Sequence, residues 1–388
     1  MTRDRELLPF QIVIGVTAGA IGGIIAVLGE LRDDFGFTDT EVGVIVMAGF
    51  MAAFVSQAGL ARLADRGYAR QMATVGIALS AVALLLMVFV DGLWGWSLSR
   101  AMLGFGGGLT IPGLRRAASV LDQAKVGENL GRLIAGEVLG FIAGPIVSAL
   151  LVQVGGIRAP FLVFGIGMVA FLPFVMRLPR DRGQLDESGR TTSFDLLRIR
   201  RLQGALLIVG GYFVLIGAWE AVMPVMFQDR GGSSLETGVA FSLLAIPIAF
   251  LGPFAGRTAD RLGPPRVALA GTLLVGASTM FYGVLPGLLW PTLLMFLFGI
   301  ADGFGFTAAQ VAVSRAVPED RQAGALGLMG AVEVLGAGLA ALPAAIAYDR
   351  LGDGPAWALI GLATLIVVGA GGLRLRGTQP YRPVDDSV

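Results

Sequence analysis

The 388-residue chain is 55% hydrophobic and only 15% charged, with a mean hydropathy of +0.76. Water-soluble globular proteins carry roughly 25% charged residues, so this composition argues against a soluble enzyme, and so much apolar surface excludes disorder. A net charge of +1 says little by itself; where the charges sit says more. The 58 Gly show no G-x-y period, which excludes collagen, whereas membrane helices both tolerate and use Gly. The chain has no Cys and no His, so it has no disulfide or thiolate site, and proton handling near neutral pH falls to carboxylates.

Apolar runs of about 20 residues, long enough to cross a bilayer, recur twelve times along the chain: 7–31, 40–61, 71–91, 94–114, 127–154, 157–176, 203–228, 235–256, 266–287, 289–314, 321–348 and 355–373. The first is too long for a cleavable signal and lacks a small-residue cleavage site, so it reads as a helix. The long polar interruption is Arg177 to Arg201. It divides the chain into an N-terminal six-helix bundle (1–177), a cytoplasmic linker (178–202) and a C-terminal six-helix bundle (203–388). Within the linker, Ser193 can cap a short interfacial helix with Phe194, Leu196 and Leu197 toward the membrane and the Arg residues toward lipid phosphates. Of the 29 Lys and Arg, 24 fall in segments on one side, 4 (Arg32, Arg158, Arg230, Arg350) on the other, and Arg100 lies inside the fourth span. Positive residues mark the cytoplasmic side, so both termini are expected there. Trp94, Trp96 and Trp290 then fall at outer ends, where amphipathic rings prefer the interface.

The two halves repeat at a nearly constant offset of about 195 residues. Ala61-Arg-Leu-Ala-Asp65-Arg66 matches Gly256-Arg-Thr-Ala-Asp260-Arg261, Gly43 matches Gly238, Gly104 matches Gly299, and Glu137-Val-Leu-Gly140 recurs as Glu333-Val-Leu-Gly336. Six spans per half return the chain to the same side, so the repeat is parallel and its pseudo-twofold axis runs along the membrane normal. The expected fold is therefore an all-α membrane protein of twelve transmembrane helices in two six-helix bundles. Such a plan puts a site between the bundles, reached alternately from each side.

The segment Ala61 to Arg70 resembles the G-x-L-a-D-r-x-G-r-[kr] signature that the major facilitator superfamily carries between spans two and three. Its echo, Gly256 to Arg266, stands between spans eight and nine, where that family repeats it. In the first copy Ala61 replaces the leading Gly, and Gly67 comes one place early. The resemblance implies a latch of Asp65, Arg66, Arg70, Asp260, Arg261 and Arg266 that holds the bundles together on the inner side when the transporter faces outward. The plainer reading is a basic inner loop with a capping Asp.

An ionisable residue inside a span is costly and marks function by default. Arg100, Glu137, Glu220, Asp302 and Glu333 qualify, and Glu30 lies at the outer end of span one. Arg100 opens a segment similar to the R-x-x-x-G-x-G motif of proton-driven members of the family, with Gly104 and Gly108 on one helix face. An Arg cannot shed its proton and needs an acceptor, and Glu30 is the expected partner. Either proton coupling or a fixed salt bridge fits. Span five, with Gly136, Gly140, Gly144 and Pro145, makes a smooth groove with a bend. It resembles the G-x-x-x-G-P signature of drug–proton antiporters, although Ser148-Ala149 stands where a Gly pair is expected; helix packing alone is the alternative. Glu137 lies roughly 15 Å from the inner end at 1.5 Å per residue. A neutral acid there that ionises when the site opens to water is a proton carrier. The same argument applies to Glu220, Asp302 and Glu333, and polar interhelical bonding is the alternative for each. Phe50, Met51, Phe54, Tyr212, Phe213, Trp219, Met223 and Phe241 are candidates to line a lipophilic cavity or to face lipid.

No P-loop or soluble domain is present to support an enzyme or an ATP-driven pump. The leading expectation is proton-coupled export of small lipophilic or cationic compounds by alternating access. A proton-coupled uptake carrier, a uniporter or a lipid transporter of the same superfamily is the alternative, and a non-transporting receptor the third class. The expected partners are a small-molecule substrate, protons and the bilayer, with no nucleic acid, no metal and no cofactor beyond the proton gradient. A monomer in a bacterial cytoplasmic (inner) membrane is expected, the bacterial source from the Arg, Ala and Gly bias.

Overall fold

The computed structural model describes residues 4–60, 63–121, 126–178 and 194–377. In lipid the backbone must satisfy its own hydrogen bonds, which leaves the helix as the local solution for long apolar runs. The α-helices are α1 (Asp4–Phe35), α2 (Asp39–Leu60), α3 (Ala69–Met87), α4 (Leu93–Leu121), α5 (Val126–Gly155), α6 (Ala159–Val175), α7 (Arg200–Asp229), α8 (Ser234–Leu262), α9 (Pro264–Thr279), α10 (Leu289–Ser314), α11 (Gln322–Leu351) and α12 (Asp353–Leu375). Each falls on one of the apolar runs of the sequence. Among the described residues, nine are long and apolar enough to cross a membrane. The others are α6 with 17 residues, α9 with 16, and α4, which carries Arg100, Arg115 and Arg116. Span nine is shorter than its sequence predicts. It ends at Thr279, and the Gly283-Val-Leu-Pro-Gly287 stretch that follows forms turns, with Gly287 at φ +61°.

Within each half the same helix pairs pack together: α1 with α5 and α7 with α11, α2 with α4 and α8 with α10, α3 with α4 and α9 with α10. The duplication extends to single contacts. A Cβ at Gly140 would lie 2.0 Å from the carbonyl oxygen of Gly15, and one at Gly336 would lie 2.9 Å from that of Gly210. A Cβ at Gly104 would meet the carbonyl oxygen of Gly49 at 2.0 Å, and one at Gly299 that of Leu244 at 2.1 Å. Since lipid tails are as apolar as Leu, such close backbone packing, rather than exclusion of water, holds helices together in the membrane. Gly136 and Gly144 extend the α5 groove and seat against Gln11 and Gly19 of α1, while Gly108 faces Ser56 and Ala53 of α2.

The close backbone contacts between the halves lie toward one end, the closed end, while α2 also follows α11 as far as Gln57 and Gly330. Gly29 of α1 lies against Pro224 of α7, and the repeat-equivalent Gly43 and Gly238 each meet the opposite half, at Leu342 and Ala345 of α11 and at Pro145 of α5. Pro145 removes a backbone donor and loosens the preceding turn; the carbonyl of Ile142 in that turn accepts from the Ser242 hydroxyl of α8 at 2.6 Å. Neighbouring Ser side chains commonly repair such helices in membranes. The hydrophobic core runs continuously across both halves here, whereas Leu202, Ala259, Ala309, Val313 and Leu328 of the second half form a separate cluster toward the opposite, open end.

Trp94 and Trp290 are exposed as expected, but Trp96 is buried between Phe35 and Phe161, with centroids 5.3 and 5.2 Å away. Its position on α4 turns it inward, toward α1 and α6, rather than to the interface. Ser193 and most of the linker lie outside the described residues. The segment Phe194–Arg198 is one 3₁₀ turn whose Leu196 is buried in the second half's cluster, not against lipid, while Phe194 and Leu197 are exposed. Asp195 there pairs with Arg321 at 2.9 Å. The short turn follows because α7 already starts at Arg200.

The backbone contact at Gly140 predicts a clear packing defect. Gly140→Ala is expected to cost about 1–3 kcal/mol, the usual range for overpacking, and to lower the melting temperature of the detergent-solubilised protein. Gly131→Ala, at a position of the same helix with open space around it, is expected to leave melting unchanged or raise it. Equal behaviour of the two contradicts the packing account.

Candidate functional site

Two helices from opposite halves bring a buried Arg and a buried carboxylate together. Arg100 lies near the closed-end start of α4, and its aliphatic stem runs over Gly49 of α2, where a Cβ would stand 2.9 Å from its Cγ. Its guanidinium donates to Glu220 of α7, and both side chains are only 5% exposed. Nε of Arg100 has no partner among the described residues. The sequence-based pairing of Arg100 with Glu30 is therefore corrected. Glu30 faces α8, where its carboxylate accepts the Ser234 backbone N–H at 2.9 Å. The positive end of a helix suits a carboxylate.

A second layer lies nearer the middle of α7. Tyr212 donates to Oδ2 of Asp302 on α10, and Oδ1 of that carboxylate is buried without a partner. Tyr212 also stacks on Phe306 and meets Phe213 edge-on. A third layer opens to solvent: Arg115 of α4 donates to Oε2 of Glu137 on α5 at 2.9 Å, with side chains 48% and 24% exposed. Glu137 is thus paired, not a lone buried acid. Glu333 of α11 is half-buried and close enough to feel the charges of both Arg115 and Glu137. Of the four acids singled out in the sequence, Glu220, Glu137 and Glu333 meet charges of the opposite half, whereas Asp302 is partnered within its own.

Of the aromatic and Met candidates, Trp219 and Met223 are core residues and do not line an open cavity. Trp219 packs against Phe298 and Tyr282, with centroids 5.2 and 6.1 Å away, and Met223 is fully buried. Both sit on the face of α7 turned into its own half. Phe241 is buried as well. Phe50 and Met51 lie over Gly338 of α11, between the halves, and Phe54 is half-buried.

Among the described residues, the loop residues form no bridge between the halves in this conformation. Gly67 and Gly263 both adopt φ +92°, as the turn chemistry of the repeated loop requires. Asp260 pairs at 2.7 Å with Arg315 of its own half, Arg66, Arg261 and Arg266 are exposed, and Arg70 is half-buried. The Asp65 side chain lies outside the described residues. A different set joins the halves at the closed end. Arg32 of α1 pairs with Asp229 of α7 at 2.6 Å and with Asp39 of α2 at 2.8 Å. The other oxygen of Asp229 accepts from Tyr348 of α11 at 2.8 Å, and Thr40 donates to Asp349 at 2.6 Å. These residues escaped the sequence reading because each alone is an ordinary charge at a helix end. The pseudo-twofold axis was the available signal, since it brings the like ends of α1 and α7 together.

This architecture, with buried charges on the seam between duplicated halves, agrees with a family model. The Major Facilitator Superfamily model matches residues 11–332 and 208–387. The chain belongs to the Major Facilitator Superfamily. It is accordingly a multi-pass membrane protein that transports small molecules, not an enzyme. The multidrug resistance protein MdtG of Rahnella sp. is 25% identical over 322 residues, which is 79% of this chain and 78% of that protein. Among solved structures, a bacterial homologue of the human lysosomal transporter Spinster, in an inward-facing and occupied conformation, superposes with a TM-score of 0.79 at 13% identity, covering 98% of this chain and 99% of that one. The nucleoside transporter NupG does so with a TM-score of 0.74 at 14% identity over 96% of this chain and 100% of its own. At these identities the superpositions speak for the superfamily fold alone.

Two measurements test this geometry. Removing one partner of a buried pair costs about 3–5 kcal/mol, whereas replacing both with apolar groups is often neutral. Arg100→Met is therefore expected to lower melting more than the double variant Arg100→Met/Glu220→Met; an equal or greater loss in the double variant contradicts the pair. At the closed end, Asp229→Asn is expected to lengthen and broaden the distance between spin labels on Asp34→Cys and Leu289→Cys. The absence of native Cys makes the labelling clean, and an unchanged distance distribution removes Asp229 from the closure.

Proposed function

We propose that this superfamily member exports small lipophilic or cationic compounds in exchange for protons, by alternating access between its two halves. The observation that carries the reading is the ion pair of Arg100 and Glu220, each from a different half and both almost fully buried. Opening the closed end must part α4 from α7. Arg100 keeps its charge under all physiological conditions, and a lone carboxylate left in a dry seam is costly. A proton taken up by Glu220 removes that cost. Proton uptake thereby becomes linked to opening, and re-formation of the pair to proton release.

With the Arg-rich segments assigned to the cytoplasm, the closed end faces outward and the present conformation faces inward, with the pair formed and the proton already given to the inside. Substrate then enters from the cytoplasm while Glu220 is charged and leaves outward as Glu220 is protonated. The likeness to a multidrug resistance protein and the excess of acids over Arg along the seam support export of neutral or cationic compounds. The site is assigned to a bacterial inner membrane with both termini cytoplasmic, and the transporter works as a monomer without a cofactor other than the proton gradient.

In proteoliposomes, an imposed pH gradient is expected to drive substrate opposite to protons. Glu220→Gln is expected to keep substrate counterflow but to lose its acceleration by the gradient. Movement parallel to protons identifies an uptake carrier instead. Gradient-driven flux that survives in Glu220→Gln removes the coupling role.

A further inference from the structure

The first half carries a groove that the transport geometry does not use. It runs along the line where α1 and α5 meet, has a volume of about 490 Å³, and is walled by Leu8, Ile12 and Val16 of α1, Leu139 and Val147 of α5 and Phe164 of α6. Its floor is backbone, because the two helices touch without side chains between them: a Cβ at Gly144 would lie 2.2 Å from the carbonyl oxygen of Gly19. Leu139 follows Glu137 by two residues, about 200° around a helix. The groove therefore faces away from the seam, where Glu137 meets Arg115, and toward lipid. Leu8, Ile12, Leu139 and Val147 are between 39% and 66% exposed along it.

One end of the groove is polar. Arg132 lines it there, and the Gln11 side chain donates to the Arg132 carbonyl at 3.3 Å, which fixes that turn of α5 against α1. The long stem of an Arg in this position carries its guanidinium to headgroup level. From Leu8 to Gly19 α1 rises about 16 Å at 1.5 Å per residue, close to one leaflet of a hydrocarbon core about 30 Å thick. A cation at the water-facing end of an apolar trough one leaflet deep is complementary to a phosphate with an acyl chain below it.

The groove is no by-product of the duplicated packing. Gly15 and Gly140 recur as Gly210 and Gly336, but at the equivalents of Arg132, Gly136, Ala143 and Gly144 the second half carries Leu328, Val332, Leu339 and Ala340. A Cβ at Gly210 would stand 3.2 Å from Cγ1 of Val332, so a side chain lies between α7 and α11 where α1 and α5 have none. Cation and trough are present together in one half and replaced together in the other.

We propose that this groove holds an acyl chain of an anionic phospholipid, with the lipid phosphate on Arg132. An acyl chain gains no hydrophobic energy by leaving other acyl chains, so the headgroup charge selects the lipid and the backbone floor positions its chain. One Lys or Arg near the surface contributes about 1 kcal/mol toward anionic lipid, a preference of about fivefold. Every residue around the groove belongs to the first half, so the lipid stays in place while the halves part and rejoin. The site is independent of the export reading.

The chain has no Cys, so a single bimane label can be placed in the groove at Leu139→Cys and, as a control, at Leu339→Cys on α11, which is 61% exposed. The full-length protein is reconstituted in phosphatidylcholine vesicles, and brominated phosphatidylglycerol or brominated phosphatidylcholine is titrated in to quench the label, with no gradient and no substrate. At Leu139→Cys, phosphatidylglycerol is expected to quench at about fivefold lower mole fraction than phosphatidylcholine; at Leu339→Cys the two are expected to quench alike. Arg132→Gln is expected to abolish the preference and Arg132→Lys to keep it. Ala143→Leu, which gives the first half the residue of the second, is expected to abolish it by filling the trough. Melting curves identify a variant that fails to fold, and the Arg132 pair then decides alone, since the Arg132 carbonyl that holds Gln11 is unchanged in both.

Equal quenching by the two lipids at Leu139→Cys, the same preference at both labelled positions, or a preference that survives Arg132→Gln overturns the assignment. So does a label at Leu139→Cys that neither lipid reaches, the result expected when a second copy of the chain covers the groove.

Discussion

An arginine that cannot lose its charge, held far from water, constrains everything around it. Arg100 is tolerated because Gly49 leaves room for its stem and because Glu220 approaches from the other half. Burying such a pair is weak ground for stability, since the desolvation of two ions offsets most of their attraction. The pair instead gives the halves a specific point of register, with α4 and α7 presenting these two groups to each other. Both side chains are only 5% exposed, and that dryness makes their separation consequential.

The closed end is built on the same logic with wetter components. Arg32, Asp39, Asp229, Tyr348, Thr40 and Asp349 tie α1 and α2 to α7 and α11. Individually, partly exposed ion pairs contribute little. Joined in a network on top of the glycine contacts at Gly29 and Gly43, they mark where the two bundles meet in this conformation. Of the repeated Asp-Arg loops at the other end, the second stays with its own half, where Asp260 pairs with Arg315.

Much of the framework was legible in the sequence because its determinants are local or periodic. Apolar run length and basic-residue placement located the helices, and the recurrence of Gly104 as Gly299 and of Gly140 as Gly336 foretold contacts now seen against Gly49, Leu244, Gly15 and Gly210. The candidate acids were legible too, since a charge inside an apolar run is conspicuous. What sequence position could not supply was the direction in which each side chain points. Glu30 and Glu220 were both within plausible reach of Arg100, and only the rotation of α1 and α7 about their axes decided between them. The same rotation hid Trp219 and Met223 in the core and turned Trp96 away from the interface. Span nine failed for a separate reason: apolar residues around Gly283 and Pro286 favour a bilayer, while the Gly and Pro favour turns, and the turns won.

The duplicated contacts coexist with an unduplicated chemistry. At the equivalents of Arg100, Glu220 and Asp302 the chain has Met295, Ile25 and Gly107. Gly15, Gly104 and Gly140, which meet backbone, recur as Gly210, Gly299 and Gly336, whereas these charged groups do not recur. One ancestral bundle therefore came to serve two trades, supplying a fixed cation on one side and acids with an aromatic wall on the other. Grafting two first halves or two second halves together would preserve the scaffold's geometry yet leave Arg100 or Glu220 facing its own copy in place of its partner, a tool with two identical jaws.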